Sequence, residues 1–183
     1  MKGDKRRKEF AAWGRWLRRA DGLAHRFCSE MEDDPFAYNE TASVSVLAAA
    51  AARAGYLSIA EYGATKGWPD DRRFAVNGRC DLWLAADDEI WAFEFKQVHA
   101  FRTGIRGLSS ALARAEVCAR CLRKTEGRRV AGLIVSLYSL EQKGRASAMM
   151  KLERLKGDVD YMWRIAGAGP SAAGTYMMFK LVD

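Results

Sequence analysis

In the stretch Ile90 to Val98, read I-W-A-F-E-F-K-Q-V, a carboxylate and an ammonium stand two residues apart among bulky apolar neighbours. The dense alternation of large side chains predicts a central strand. Successive side chains on a strand point to opposite faces, so Glu94 and Lys96 emerge on the same side. Charges buried inside a sheet are costly unless they pair, bind a metal or take part in chemistry. Thirteen residues before Glu94, Asp81 stands at the start of a second short apolar stretch, Arg79 to Leu84. A turn-like Ala85 to Glu89 joins the two, which predicts a hairpin with Asp81 brought near Glu94. Carboxylates are the hard oxygen ligands that Mg²⁺ prefers, and a lysine beside them adds a mobile positive charge.

The elements that would position these groups can be read in order. Residues 5 to 27 form a helix, with Phe10, Trp13, Leu17, Ala20 and Ala24 at helical spacing and arginines around them. Glu30, Glu32, Asp33 and Asp34 lead into Pro35 and read as acids favoured by a helix dipole rather than as a metal site. A second helix begins at about Pro35 or Asn39 and runs to Ala54, with Gly55 as its stop. Glu40 aligns with Val44, Leu47, Ala51 and Ala54 and so shares the buried face. Either the helix dipole stabilises it as a first-turn acid, or it contributes to a site.

Tyr56 to Tyr62 reads as a strand and residues 63 to 78 as a loop rich in Gly, Asp, Lys and Pro. After the central strand, His99 to Gly107 is a loop carrying Arg102 and Arg106, suited to gripping phosphates. Ser109 to Lys124 is a helix, and Val130 to Tyr138 is a strand apolar on both faces, hence buried and parallel to a neighbour. Leu140 to Lys156 is a further helix; Val159 to Ile165 and Tyr176 to Val182 are two closing strands. Helices interleaved with strands in this order imply one α/β domain over residues 1–183, a three-layer α/β/α sandwich around a mixed sheet. Its parts are a basic amphipathic N-terminal helix (1–30), a core (35–138), and a C-terminal helix with two strands (139–183).

Asp81 followed by Glu94-Phe95-Lys96 resembles the D…(D/E)-x-K signature of the PD-(D/E)XK, or restriction-endonuclease-like, nuclease superfamily. The strand-turn-strand setting fits, and a glutamate-bearing helix precedes it. The order helix, three strands, helix, strand over residues 35 to 138 also matches the family core, somewhat over half the chain. The resemblance implies a restriction-endonuclease-like fold and a metal-dependent nuclease, with DNA a more common substrate than RNA. It implies Asp81, Glu94 and the main-chain carbonyl of Phe95 as ligands of Mg²⁺ or Mn²⁺, with Glu40 added to the metal site from its helix. Lys96 would orient the attacking water or stabilise the transition state, its pKa lowered toward base duty by a cation-rich site. Gln97 faces away from Lys96 on the strand and would support the site from behind or simply pack. The literal Pro69-Asp70 is the lesser candidate for the acid, because Asp70 sits among loop residues whereas Asp81 opens a strand next to Glu94.

The formal net charge of +7 is concentrated at one end. Residues 1–19 hold eight Lys/Arg against Asp4 and Glu9, a surplus of six, so basicity belongs to one segment. Lys5, Arg6, Arg7 and Lys8 are its candidate phosphate contacts. A chain of 183 residues, 49% hydrophobic and 29% charged, is globular in composition. No apolar run approaches the roughly 20 residues of a membrane helix, and residues 1–19 lack a signal-like apolar core. No membrane association is therefore expected; the membrane-surface reading of the basic helix ranks third. Four cysteines suggest no disulfide framework, and a reducing cytoplasm is the expected compartment. His25-x-x-Cys28 and Cys118-x-x-Cys121 have zinc-like spacing but fall within helices, where it arises by chance. A competing class of function is a non-catalytic nucleic-acid-binding or assembly module, with Asp81, Glu94 and Lys96 as a buried charge network. Homodimerisation is left open by both readings.

Overall fold

Ala12, Trp13, Trp16, Leu17, Ala20 and Ala24 recur on one face of helix α1 (Lys8–Met31), and all are buried. In the computed structural model, which describes residues 2–68, 71–99, 105–138, 142–166 and 174–182, this stripe is the floor of the main core. Trp13 lies with its ring centroid 5.0 Å from those of Tyr161 and Phe179 and 5.4 Å from that of Phe93, at tilted or edge-on angles. Trp16 packs beside it and donates its indole N–H to the Leu47 carbonyl at 2.8 Å. The expected amphipathic helix is therefore present, and its apolar side is used inside the molecule.

Helix α2 (Glu40–Arg53) is bounded by local chemistry. Asn39, in extended conformation, accepts a hydrogen bond from Ala42 N–H at 2.9 Å and caps the first turn. At the other end Gly55 takes φ +81, while Gly55 N–H and Tyr56 N–H bond to the carbonyls of Ala52 and Ala51. This closure, which needs a left-handed residue, explains the stop at glycine. Replacing Asn39 with Ala should cost about 1 kcal/mol of stability, read as a lowered urea midpoint.

Six strands form one mixed sheet: β1 (Leu57–Trp68), β2 (Asp71–Ala86), β3 (Glu89–His99), β4 (Arg128–Ser136), β5 (Tyr161–Ile165) and β6 (Thr175–Val182). Their spatial order is β1-β2-β3-β4-β6-β5. β3 and β4 are parallel, from Trp91↔Arg128 to His99↔Ser136, and the other neighbours are antiparallel. A parallel pair needs a crossover, supplied by α3 (Ile105–Cys121). α1 and α2 cover one face of the sheet; α3 and α4 (Gln142–Leu155) cover the other. This α/β arrangement, two helices to a face, is compatible with the expected sandwich. Among the described residues no helix is long and apolar enough to cross a membrane.

Residues 63 to 78 depart from the expected loop. β1 continues to Trp68 and β2 begins at Asp71, in register from Tyr62↔Cys80 to Gly67↔Ala75. Glycines and charges lower strand propensity, but pairing with a partner strand satisfies the backbone and overrides it. The turn between β2 and β3 has Asp87 and Asp88 both at positive φ, +52 and +61, the backbone of a tight hairpin. Pro69 and Asp70, and the phosphate-loop candidate Arg102, lie outside the described residues.

Candidate active site

On β3 the odd residues Trp91, Phe93 and Phe95 belong to the core beneath α1 and α2. The even residues Ala92, Glu94 and Lys96 therefore point to the other face. The pairing of β2 with β3 ends at Leu82↔Phe93, so Asp81 and Glu94 are the next positions, where the strands part. Asp81 Oδ2 fills the opening by accepting a hydrogen bond from Phe95 N–H at 2.6 Å. The hairpin read from sequence thus brings Asp81 to the Glu94-Phe95-Lys96 segment.

Glu40, at the first position of α2, also arrives there. Its Oε1 accepts from Lys96 Nζ at 3.0 Å and its Oε2 accepts from Gln97 N–H at 2.9 Å. Lys96 Nζ also donates to the Phe95 carbonyl at 2.6 Å. Gln97 faces away from Lys96 and ties α2 to the strand: its Nε2 donates to the Phe36 carbonyl at 2.9 Å, and its Oε1 accepts from Ser43 Oγ at 2.7 Å. Gln97 therefore fixes where the N-terminus of α2 sits, and with it the Glu40 carboxylate.

Sequence reasoning missed Lys66. This β1 residue lies in the segment read as loop, and its ammonium stands 2.8 Å from Glu94 Oε1. The approach makes an ion pair without hydrogen-bond direction, and Glu94 Oε1 has no directed donor. Extending the Tyr56–Tyr62 strand would have exposed the signal, since Tyr62, Ala64 and Lys66 then alternate on one face. Ser43 and the Phe36 carbonyl were likewise invisible, being ordinary residues until Gln97 meets them.

The electrostatics follow from burial. Glu94 is 3% exposed, and its carboxyl is pushed up to about 7, first by burial and then by the charge of Asp81; Lys66 and Lys96 pull it back. Burial also raises Asp81, opposed by the Phe95 N–H and by Lys96. For Lys96, burial works against the charge, but the bond to Glu40 and the field of Asp81 outweigh it and hold the ammonium above its ordinary value. Without a bound cation, the nearest charged partners of Lys96 are therefore carboxylates, and they keep it charged.

Asp81, Glu94 and the Phe95 carbonyl offer hard oxygens of the kind that bind Mg²⁺ or Mn²⁺, which take one or two carboxylates and fill the remainder with water and phosphate. A buried carboxylate oxygen without a directed donor, beside a second, half-buried acid, fits such a cation. Among the described residues no group of three or more His, Cys, Asp or Glu side chains is placed to hold a metal. His25 and Cys28 lie on α1 and Cys118 and Cys121 on α3, helices on opposite faces, so the zinc-like pairs do not meet.

The basic candidates are dispersed. Arg106 is exposed in the first turn of α3, shortly after β3 ends. Lys8 pairs with Glu89 at the start of β3 at 2.8 Å, and Arg7 stands 3.9 Å from Asp4. From Glu89 to Lys96 the strand advances about 23 Å at roughly 3.3 Å per residue, so the basic segment and the acid cluster occupy opposite ends of β3. A cleft of about 660 Å³ lined by Arg7, Glu89, Lys124, Arg128 and Asp160 is at the basic end. In comparisons with known proteins, no family model, no curated protein and no solved structure matches the chain.

Proposed function

We propose that this protein is a divalent-cation-dependent nuclease of the PD-(D/E)XK, restriction-endonuclease-like class, cleaving phosphodiester bonds of DNA in preference to RNA. The observation that carries the reading is the convergence of Asp81, Glu94, Lys96 and Glu40 from three elements onto the point where β2 leaves β3. The preference for DNA rests on the family resemblance alone. Asp81, Glu94 and the Phe95 carbonyl would hold Mg²⁺ or Mn²⁺, which when bound supplies an acidified water and neutralises phosphoryl charge. Lys96 places an ammonium against the same carbonyl, ready to stabilise negative charge growing on a phosphoryl oxygen. Glu40 and Gln97 keep that ammonium aimed.

The test is an assay on supercoiled, linear and branched DNA and on RNA, with Mg²⁺, Mn²⁺ or EDTA. Cation-dependent cleavage is expected, and none in EDTA. One feature favours the alternative of a non-catalytic binding or assembly module: the charges are already neutralised within the chain, Lys66 against Glu94 and Lys96 against Glu40. Binding of nucleic acid without cleavage under any cation would establish that alternative.

In either reading the basic segment grips the phosphate backbone without reading sequence. Four substitutions, Lys5, Arg6, Arg7 and Lys8 to Gln, leave the buried stripe of α1 untouched. They should flatten the log–log salt dependence of DNA affinity by roughly 2 to 4, the smaller value if Glu89 and Asp4 keep Lys8 and Arg7 from phosphates. An unchanged slope with the fold intact would leave α1 a structural role only.

A further inference from the structure

Lys66 reaches the site through a gap that the sequence provides. The stem of Lys66 crosses Gly78 of β2: a Cβ on that glycine would stand 2.8 Å from Lys66 Cδ and 3.1 Å from Cγ. A residue without a side chain leaves the passage open. The backbone is also held there, since Lys66 is bridged to Leu122 after α3 and Arg123 N–H donates to the Thr65 carbonyl at 3.4 Å. The ammonium ends in a pair whose acid side chain is 4% exposed and whose lysine is 21% exposed.

We propose that Lys66 is the built-in counter-ion of the cation site: its ammonium neutralises Glu94 in the metal-free protein and opposes the binding of Mg²⁺ or Mn²⁺ to that carboxylate. Lys66 would then set the cation concentration at which the site fills. The inference rests on the nuclease reading for the cation itself. A small dication at about 2.0–2.1 Å from a Glu94 oxygen would share that carboxylate with an ammonium that stands 2.8 Å from Oε1, so the two positive charges oppose each other there. An ammonium kept about 5 Å from a dication weakens its binding roughly tenfold or more, even with the dielectric of bulk water.

Calorimetric titration of Mn²⁺ and Mg²⁺ into the full chain, without nucleic acid, tests this. Lys66→Met should bind either ion roughly tenfold more tightly or better. Gly78→Ala, which pushes the stem out of its passage, should move affinity in the same direction. Lys66→Arg keeps the charge and should not bind more tightly than wild type. A purely structural Lys66 predicts unchanged or weaker binding in Lys66→Met, and that result with the circular dichroism intact overturns the proposal. Should Lys66→Met fail to fold, Gly78→Ala decides by the same criterion. A wild-type chain that binds Mn²⁺ and cleaves DNA while neither variant gains affinity defeats this inference alone. A wild-type chain that neither binds nor cleaves removes the nuclease reading, and this inference with it.

Discussion

Asp81→Asn, Glu94→Gln and Lys96→Ala are each expected to reduce DNA cleavage by roughly a thousandfold or more, leaving background, while the protein stays folded. Loss of one preorganised charge from a reacting centre commonly costs about 10²–10³ in rate, and loss of an acid–base group about 10²–10⁴. The substitutions are mild for the fold. Asn at position 81 retains an oxygen for the Phe95 N–H, and Gln at 94 preserves shape while removing a buried charge. Lys96→Ala frees Glu40 Oε1, but Gln97 N–H still holds the other carboxylate oxygen. Glu40→Gln should lower the rate less and leave substrate binding almost intact, because Glu40 acts on Lys96 rather than on the site's oxygen donors. Single-turnover cleavage of labelled DNA in Mg²⁺, with binding followed by fluorescence anisotropy, separates rate from affinity. Full activity in Lys96→Ala, or in EDTA, would reject the assignment.

The second large effect concerns stability against pH. Glu94 has its carboxyl raised from an ordinary 4.5 to about 7 in the folded protein. Between those values the folded chain binds more protons at this position than the unfolded chain, so stability from this group falls as pH rises. The contribution is fully present below about 4.5 and lost above about 7. A displacement of this size corresponds to about 3 kcal/mol. Gln at position 94 does not titrate, so the difference in unfolding free energy between variant and wild type should move by about that amount in favour of Glu94→Gln across the window. Urea denaturation at a series of pH values, without divalent cation, measures it directly. A difference that stays flat from pH 4.5 to 7.5 would mean that Glu94 is solvated rather than buried.

The sequence by itself determined the elements and their order, because their signals are local. Alternation fixed the faces of Glu94 and Lys96 on β3, and helical spacing fixed the buried stripes of α1 and α2. Glycine and a polar cap marked the ends of α2, and a β4 apolar on both faces announced a parallel neighbour. Those rules also placed Asp81 against the Glu94-Phe95-Lys96 segment, since a short hairpin leaves few registers. What tertiary structure decided was which charge meets which. Lys66 pairs with Glu94 only because β1 and β2 extend as an arm that composition argued against, and because Gly78 leaves its stem a path. Gln97 acquires its role only when the Phe36 carbonyl and Ser43 arrive beside it. The carboxylates that face Lys96, Glu40 and Asp81, likewise follow from packing and not from residue type. Interactions between residues dozens of positions apart depend on strand length, register and packing, and no local periodicity encodes them.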